Sequence, residues 1–331
     1  MRRITSLIVF TSLALSALAQ NNPYIQAVDE YVPAPGQFIN TMPEYTEGDN
    51  AATMAQKCTE YLANNAGKTV CLGAWGGYII FHFDHPVVNV EGAMDIYIKG
   101  NAHTGNAEPG IVMVSQDVNC NGLPDDTWYE LSGSADFDEF GVHYDYEIEY
   151  TRLGDSLDVA WSNNLGNAGF IDRNPFHLQD YFPSWIESPL TFKGTLLPNN
   201  ATDTSGNGSY WVLEPYRFGY ADNLPNTDTL GCSFNIDWAV EPLSRESITL
   251  KYIDFVRVYT ALHQDCGWIG ETSTEISGAE DLHPNAELPA SIEQISLSRK
   301  ENRYSFDLFG SKTSLKKQGF VIKGRKLILK R

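Results

Sequence analysis

This sequence of 331 residues predicts an all-β protein: an antiparallel β-sandwich or jelly roll with one short N-terminal helix and a small C-terminal β tail. Three observations carry that expectation. Apolar and polar residues alternate with period two in many short runs, Gly, Pro and Asn punctuate the runs, and only one segment has helical spacing. Period two means one buried and one wet face, as in antiparallel sheets packed face to face.

Charge divides the chain before any strand is assigned. The whole carries −19, but residues 286–331 hold 11 basic and four acidic side chains, while residues 20–285 hold 10 basic and 38 acidic ones. So acidic a surface repels phosphate, which argues against nucleic acid as a partner. With 12% aromatic residues there is ample material for a core, which excludes a disordered chain.

Residues 1–19 have the three-part plan of a secretory signal peptide: Arg2 and Arg3, an apolar run from Ile4 to Leu15, then Ala17-Leu18-Ala19 at the cleavage positions. Gln20 follows, so no lipid-anchoring Cys is expected there. No other stretch is apolar for long enough to span a bilayer, and the mature chain is expected to be secreted and not transmembrane. Residues 20–285 then form the main domain, with Asn21–Asp49 strapped across it. Asp49 or Asn50 can cap a helix with Ala51, Met54, Ala55, Cys58 and Leu62 on one face and Gly67 as its stop.

Strands are expected at Tyr78–Phe83, Met94–Ile98, Ile111–Gln116, Trp128–Leu131, Tyr144–Tyr150, Ser209–Val212, Ile248–Tyr252 and Asp254–Tyr259. Asn/Gly-rich loops at 161–174 and 196–208 are where a binding surface can sit. Export permits disulfides, yet the cysteines number five: Cys58, Cys71, Cys120, Cys232 and Cys266. Cys58–Cys71 is the expected pair.

One loop has the composition of a metal site. In residues 117–126, Asp117, Asn119 and Asn121 place oxygen side chains at positions one, three and five, and Gly122 stands at six. That is the opening half of a calcium loop, with the Leu123 carbonyl and Asp125 or Asp126 completing the set. Position twelve, Glu in an EF-hand, is Trp128. Flanking strands also replace helices, so the expectation is a structural Ca2+ in a β-hairpin; an Asn/Asp/Gly turn without metal is the alternative.

Catalytic signatures are missing: there is no G-x-S-x-G, no H-E-x-x-H, no phosphate loop and no dinucleotide fingerprint. Many acids leave room for a glycosidase pair, but nothing nominates one. His82, Asp84 and His85 read as a polar strand end at a turn before Pro86, with a metal or acid–base cluster as the alternative. Of the seven Trp residues, Trp161 and Trp185 lie nearest the loop-rich segments and are the candidates for stacking on a sugar.

Several runs resemble a known family. Leu72-Gly73-Ala74-Trp75-Gly76-Gly77-Tyr78, Phe83-Asp84-His85-Pro86, Glu108-Pro109-Gly110-Ile111-Val112, Asn121 to Asp126 with Trp128-Tyr129-Glu130-Leu131, Phe234 to Val240, Ile253 to Thr260 and Gly270 to Glu275 are similar to the secreted "cell surface protein" family of Bacteroidota. The resemblance covers about residues 22–283. It implies a galactose-binding-like β-sandwich with calcium, surface association and no established enzymatic activity; some members resemble proteins encoded beside vitamin B12 uptake systems. Residues 286–331, through Tyr304 to Gly310 and Gly319 to Lys330, resemble a type IX secretion sorting domain, which implies the type IX machinery as a partner. Asp155-Ser156-Leu157 and Asp228-Thr229-Leu230 resemble the O-glycan acceptor triplet of such bacteria. The expected function is a non-catalytic cell-surface binding protein for a glycan or other small nutrient, with cobalamin a weaker alternative. A polysaccharide hydrolase and a structural or adhesive protein are the rivals.

Overall fold

In a computed structural model, residues 20–138 and 141–288 are described, together with four short strands between 305 and 330. The expected signal peptide lies outside the described residues. The main domain is an all-β sandwich of antiparallel sheets with a single α-helix among the described residues. None of its helices is long and apolar enough to cross a membrane.

A six-stranded sheet forms the centre, in the order Ala27–Val32, Tyr78–Val88, Tyr252–Thr260, Gly110–Ser115, Trp128–Leu131 and Ala239–Val240. Alternation sorts its side chains. Ile79, Phe81, Val112, Val114, Val256 and Val258 face one core, which the helix and a three-stranded sheet cover. Ile111, Met113 and Tyr259 face the other way. There a four-stranded sheet, Leu190–Leu196, His143–Arg152, Val159–Asn163 and Ala168–Ile171, closes a second core with Tyr146, Ile148, Tyr150 and Phe192.

Trp75 is the wedge between these layers. It is wholly buried, donates its indole N–H to the Thr195 carbonyl at 3.2 Å, and meets Tyr146 edge-on at 4.6 Å between centroids. Its loop comes this close because of glycine: Gly73 has φ +75°, and a Cβ there would lie 2.1 Å from the Ala34 carbonyl oxygen. A Cβ on Gly77 would lie 1.9 Å from the Leu72 carbonyl oxygen.

Several sequence expectations are corrected here. The helix runs Ala51–Leu62, capped by Asn50, whose Oδ1 accepts from the Ala52 and Thr53 amides. It stops well before Gly67, because Asn64 and Asn65 turn the chain with φ of +53° and +58°. Ala51 is exposed. Residues 21–49 do more than strap the domain: Ala27–Val32 is an edge strand of the central sheet. The strand at 78 runs through Pro86 to Val88, since a bulge between the pairs Phe255–His82 and Ile253–Val87 leaves Pro86 outside the ladder. Ile248 and Leu250 are buried, but the ladder begins only at Tyr252. The expected Cys58–Cys71 bond is not formed. All five cysteines are free, and the Cys71 sulfur turns to Ser273 Oγ at 3.2 Å.

Truncating the wedge tests this architecture. Trp75→Ala removes a buried indole and its hydrogen bond, so chemical denaturation should show a loss of about 3–5 kcal/mol. A loss below ~1 kcal/mol would mean that the two layers hold together without it.

Candidate functional site

The four-stranded sheet ends in a cleft of about 330 Å³. The segment 161–174, expected as a loop, is mostly the hairpin Val159–Asn163 and Ala168–Ile171. It supplies Trp161, Asn163, Asn167 and Phe170 to the cleft, while the neighbouring strand supplies Tyr146. His263, Gln264, Asp265 and Glu271 form the opposite wall.

Each group is held from behind. Trp161 pairs across the hairpin with Gly169, where a Cβ would come within 2.7 Å of the indole, so only glycine lets the ring lie there. His263 packs edge-on to Trp161 at 4.4 Å. Its Nδ1 lies 2.8 Å from the Tyr146 hydroxyl, which also accepts from Asn163 Nδ2 at 2.9 Å. Burial pushes His263 down to about 4, so the imidazole is neutral at physiological pH and Tyr146 keeps its proton. Gln264 and Asn200 bond reciprocally through side chain and backbone.

Glu271 is only 6% exposed. Its Oε1 accepts from the Gln37 amide at 2.5 Å, whereas Oε2 is buried without a hydrogen-bond partner. Burial pushes this carboxyl up to about 8, and at neutral pH it is mostly a neutral acid that can donate a hydrogen bond. The cleft wall therefore offers aromatic faces and neutral donors and acceptors beside the Asp265 carboxyl group, with no Lys or Arg among its lining residues. Such a surface suits an uncharged, hydroxyl-bearing ring and has nothing to hold an anion.

Trp185, the second aromatic candidate, is elsewhere. It stacks on Tyr31 and Tyr45 at 5.7 and 6.0 Å and packs against the main core. The aromatic ring left 56% exposed is Trp268, which sequence reasoning did not single out. A lone Trp in the turn Gly267-Trp268-Ile269-Gly270 carries no periodic signal.

The side chains of the oxygen-rich loop bond to its own amides and to one another. Asp117 Oδ2 accepts from the Gly122 amide at 2.8 Å, Asn121 Oδ1 from Leu123, and both Asp125 oxygens from the side-chain amides of Asn119 and Asn121. Asp126 Oδ2 takes the Val118 amide, and Trp128 Nε1 donates to the Pro124 carbonyl, closing the loop from below. Leu123 is exposed. The structure adds Asp254, from the distant Tyr252–Thr260 strand: its Oδ2 accepts from the Asp117 amide at 2.8 Å. Burial, then Asp117 and Asp126, push Asp254 up. No local spacing could have nominated it.

A third group is deeper. Carboxylate oxygens of Glu108, Asp222 and Glu275 lie within 4.8 Å of one another. Asp222 Oδ1 accepts from the Asn101 and Ala102 amides and Oδ2 from Glu275. Burial is the largest cause that raises all three, Asp222 to about 6 and Glu275 to about 8. An oxygen-only set of this kind can hold a hard cation or share protons.

The triad His82, Asp84 and His85 is structural. His82 meets Asp29 at 2.8 Å, and His85 bridges Asp84 and Asp281 at 2.5 and 2.8 Å, tying the two ends of the domain together. No family model matches the chain, and no curated protein matches it.

These acids set the pH dependence of stability. Glu271, Glu275, Asp222 and Asp95, the last raised to about 7 by burial, bind protons more tightly folded than unfolded. Their folded values lie above their unfolded ones, so the stability these four contribute is fully present below about pH 4 and is lost as the pH rises to about 8. Melting in chelator-containing buffer should give a Tm that drops from pH 5 to pH 8, with a shallower slope in Glu275→Gln. A Tm that rises over that window would show that these carboxyls are ionised in the fold.

Proposed function

We propose that the chain is an exported, cell-surface binding protein that takes a glycan, or another small neutral nutrient, at the Trp161 cleft and does no chemistry on it. The observation that carries this reading is the pairing of a glycine-seated indole with neutral hydrogen-bonding groups in a preformed cleft. Sugars present apolar C–H faces and outward hydroxyls, which need those two kinds of partner side by side. A cleft of about 330 Å³ favours a sugar over a ligand as large as cobalamin.

Export and surface display belong to the same proposal. The leader 1–19 fits secretion, and the +7 tail fits a type IX sorting element of the kind found in Bacteroidota surface proteins. In its support, the described strands of the tail pair as a four-stranded antiparallel sheet of their own. Ser156 and Thr229, the acceptors of the two glycan triplets, both stand exposed.

Glycan-array screening followed by titration calorimetry of the full chain tests the binding reading. A sugar should bind, and Trp161→Ala should weaken it at least tenfold, or about 1.4 kcal/mol. Silence across neutral glycans would leave the structural or adhesive reading.

A hydrolase reading has one observation in its favour: Glu271, a buried acid with a raised pKa, shares the cleft wall with Asp265. Product analysis separates the two. Bound glycan should be recovered uncut by the wild type; shorter products that vanish in Glu271→Gln would make it an enzyme.

Calcium in the 117–126 loop completes the proposal, with Asp117, Asn119, Asn121, the Leu123 carbonyl, Asp125 and Asp126 as its ligands and bracing as its role. Calcium a hundredfold above its Kd should raise the Tm by about 5–10 °C over chelator-treated protein. Asp125→Ala should abolish that difference. Equal melts, with no metal found by elemental analysis, would remove calcium from the account.

A further inference from the structure

We propose that Trp268, on a turn that packs against Trp211, forms a second sugar subsite beside the Trp161 cleft, so that the ligand is an oligosaccharide chain and not a single sugar. This rests on the binding reading above.

The geometry begins with one hairpin-like turn. Asp265 and Glu271 pair antiparallel, the Cys266 amide donates to the Gly270 carbonyl at 2.9 Å, and the Gly267 amide donates to Asp265 Oδ1 at 2.7 Å. The base of this turn, Gln264, Asp265 and Glu271, is a wall of the cleft. Its apex, Gly267–Ile269, carries Trp268. Trp268 is three positions on from Asp265, so the apex stands no more than about 11 Å along the chain from the cleft wall.

Trp268 is exposed without being loose. Its indole N–H donates to the Ser209 carbonyl at 3.3 Å, and its own carbonyl accepts from Asn174 Nδ2 at 2.7 Å. Trp211 lies on the other side of Gly267. Its indole N–H goes to the Gly208 carbonyl at 3.3 Å, and a Cβ on Gly267 would lie 3.2 Å from that nitrogen. Gly267 also has φ +62°, so glycine is needed both for the turn and for the approach. Two indoles are thus fixed in place with their polar atoms satisfied inside the protein. What the exposed ring has left to offer is an apolar face.

That face has no packing role that would explain its exposure, because a space-filling Trp is normally well buried. Asn174 comes from the same segment as Phe170, which lines the cleft, so two loops link cleft and platform. A sugar chain leaving the cleft would pass over Asp265 and meet the Trp268 face. Stacking there requires no charge on the ligand, in keeping with a cleft that has no Lys or Arg in its lining.

The test is titration calorimetry of the full chain with cello-, xylo-, manno- and galacto-oligosaccharides, from single sugars upward. Affinity should rise with length for the recognised series. Trp268→Ala should cost about tenfold on the longer members and nothing on the single sugar. Trp268→Phe should recover most of that loss, and it keeps the test open if the alanine variant fails to fold. Trp161→Ala should weaken all lengths alike. Affinity independent of length, or a Trp268→Ala variant that binds every length as the wild type does, would overturn the subsite while leaving the cleft reading intact. No binding by the wild type at any length would overturn both.

Discussion

Burial of Trp75 is the constraint on which the other features depend. Its indole fills the space between the central sheet and the four-stranded sheet, and Tyr150 donates its hydroxyl to the Trp75 carbonyl at 3.1 Å. The same contact places Tyr146 against the ring, and Tyr146 in turn orients His263. Core and cleft are therefore successive shells around one side chain. The glycines of the 73–77 loop are the condition for that arrangement, because any Cβ at Gly73 or Gly77 would collide with backbone.

On the opposite side of the same wedge, stability rests on buried polar groups. Glu130 accepts from Tyr259 and Thr195 and forms an ion pair with Arg245, which also reaches Asp136 at 2.6 Å. Here acid and base compensate each other. Glu108, Asp222, Glu271 and Glu275 have no such partner, and burial raises the pKa of each, to about 8 for Glu271 and Glu275 and about 6 for Asp222. An acidic domain can tolerate uncompensated carboxyls where they are neutralised by protonation or by a cation. The pH at which it works thus bears on its stability alongside its contacts.

Much of the fold was legible in order along the chain. Tyr144 to Tyr150 alternates as a half-buried strand should, and the structure buries Tyr146, Ile148 and Tyr150 while Asp145, Glu147 and Glu149 face out. Asn50 acts as the cap that its position before Ala51 implies. The loop 117–126 folds its oxygens inward because Asx side chains bond to amides two to five residues on, which is a local property. Trp161 could be favoured because its neighbours are Asn and Gly. Trp185, in a stretch rich in Ser and Pro, had the opposite fate, since Tyr31 and Tyr45 come from another part of the chain to cover it.

By itself the sequence determined what short-range physics decides: strand periodicity, turns, the helix cap, the oxygen loop and the separation of charge into three segments. Tertiary structure alone decided what depends on distant residues meeting. It brought Asp254 to the oxygen loop across 137 residues, set His263 beside Trp161, buried Glu271 against Gln37, and left Trp268 exposed over Gly267. Burial, and hence pKa and the availability of an aromatic face, is a property of everything packed around a residue. Spacing along the chain does not carry it.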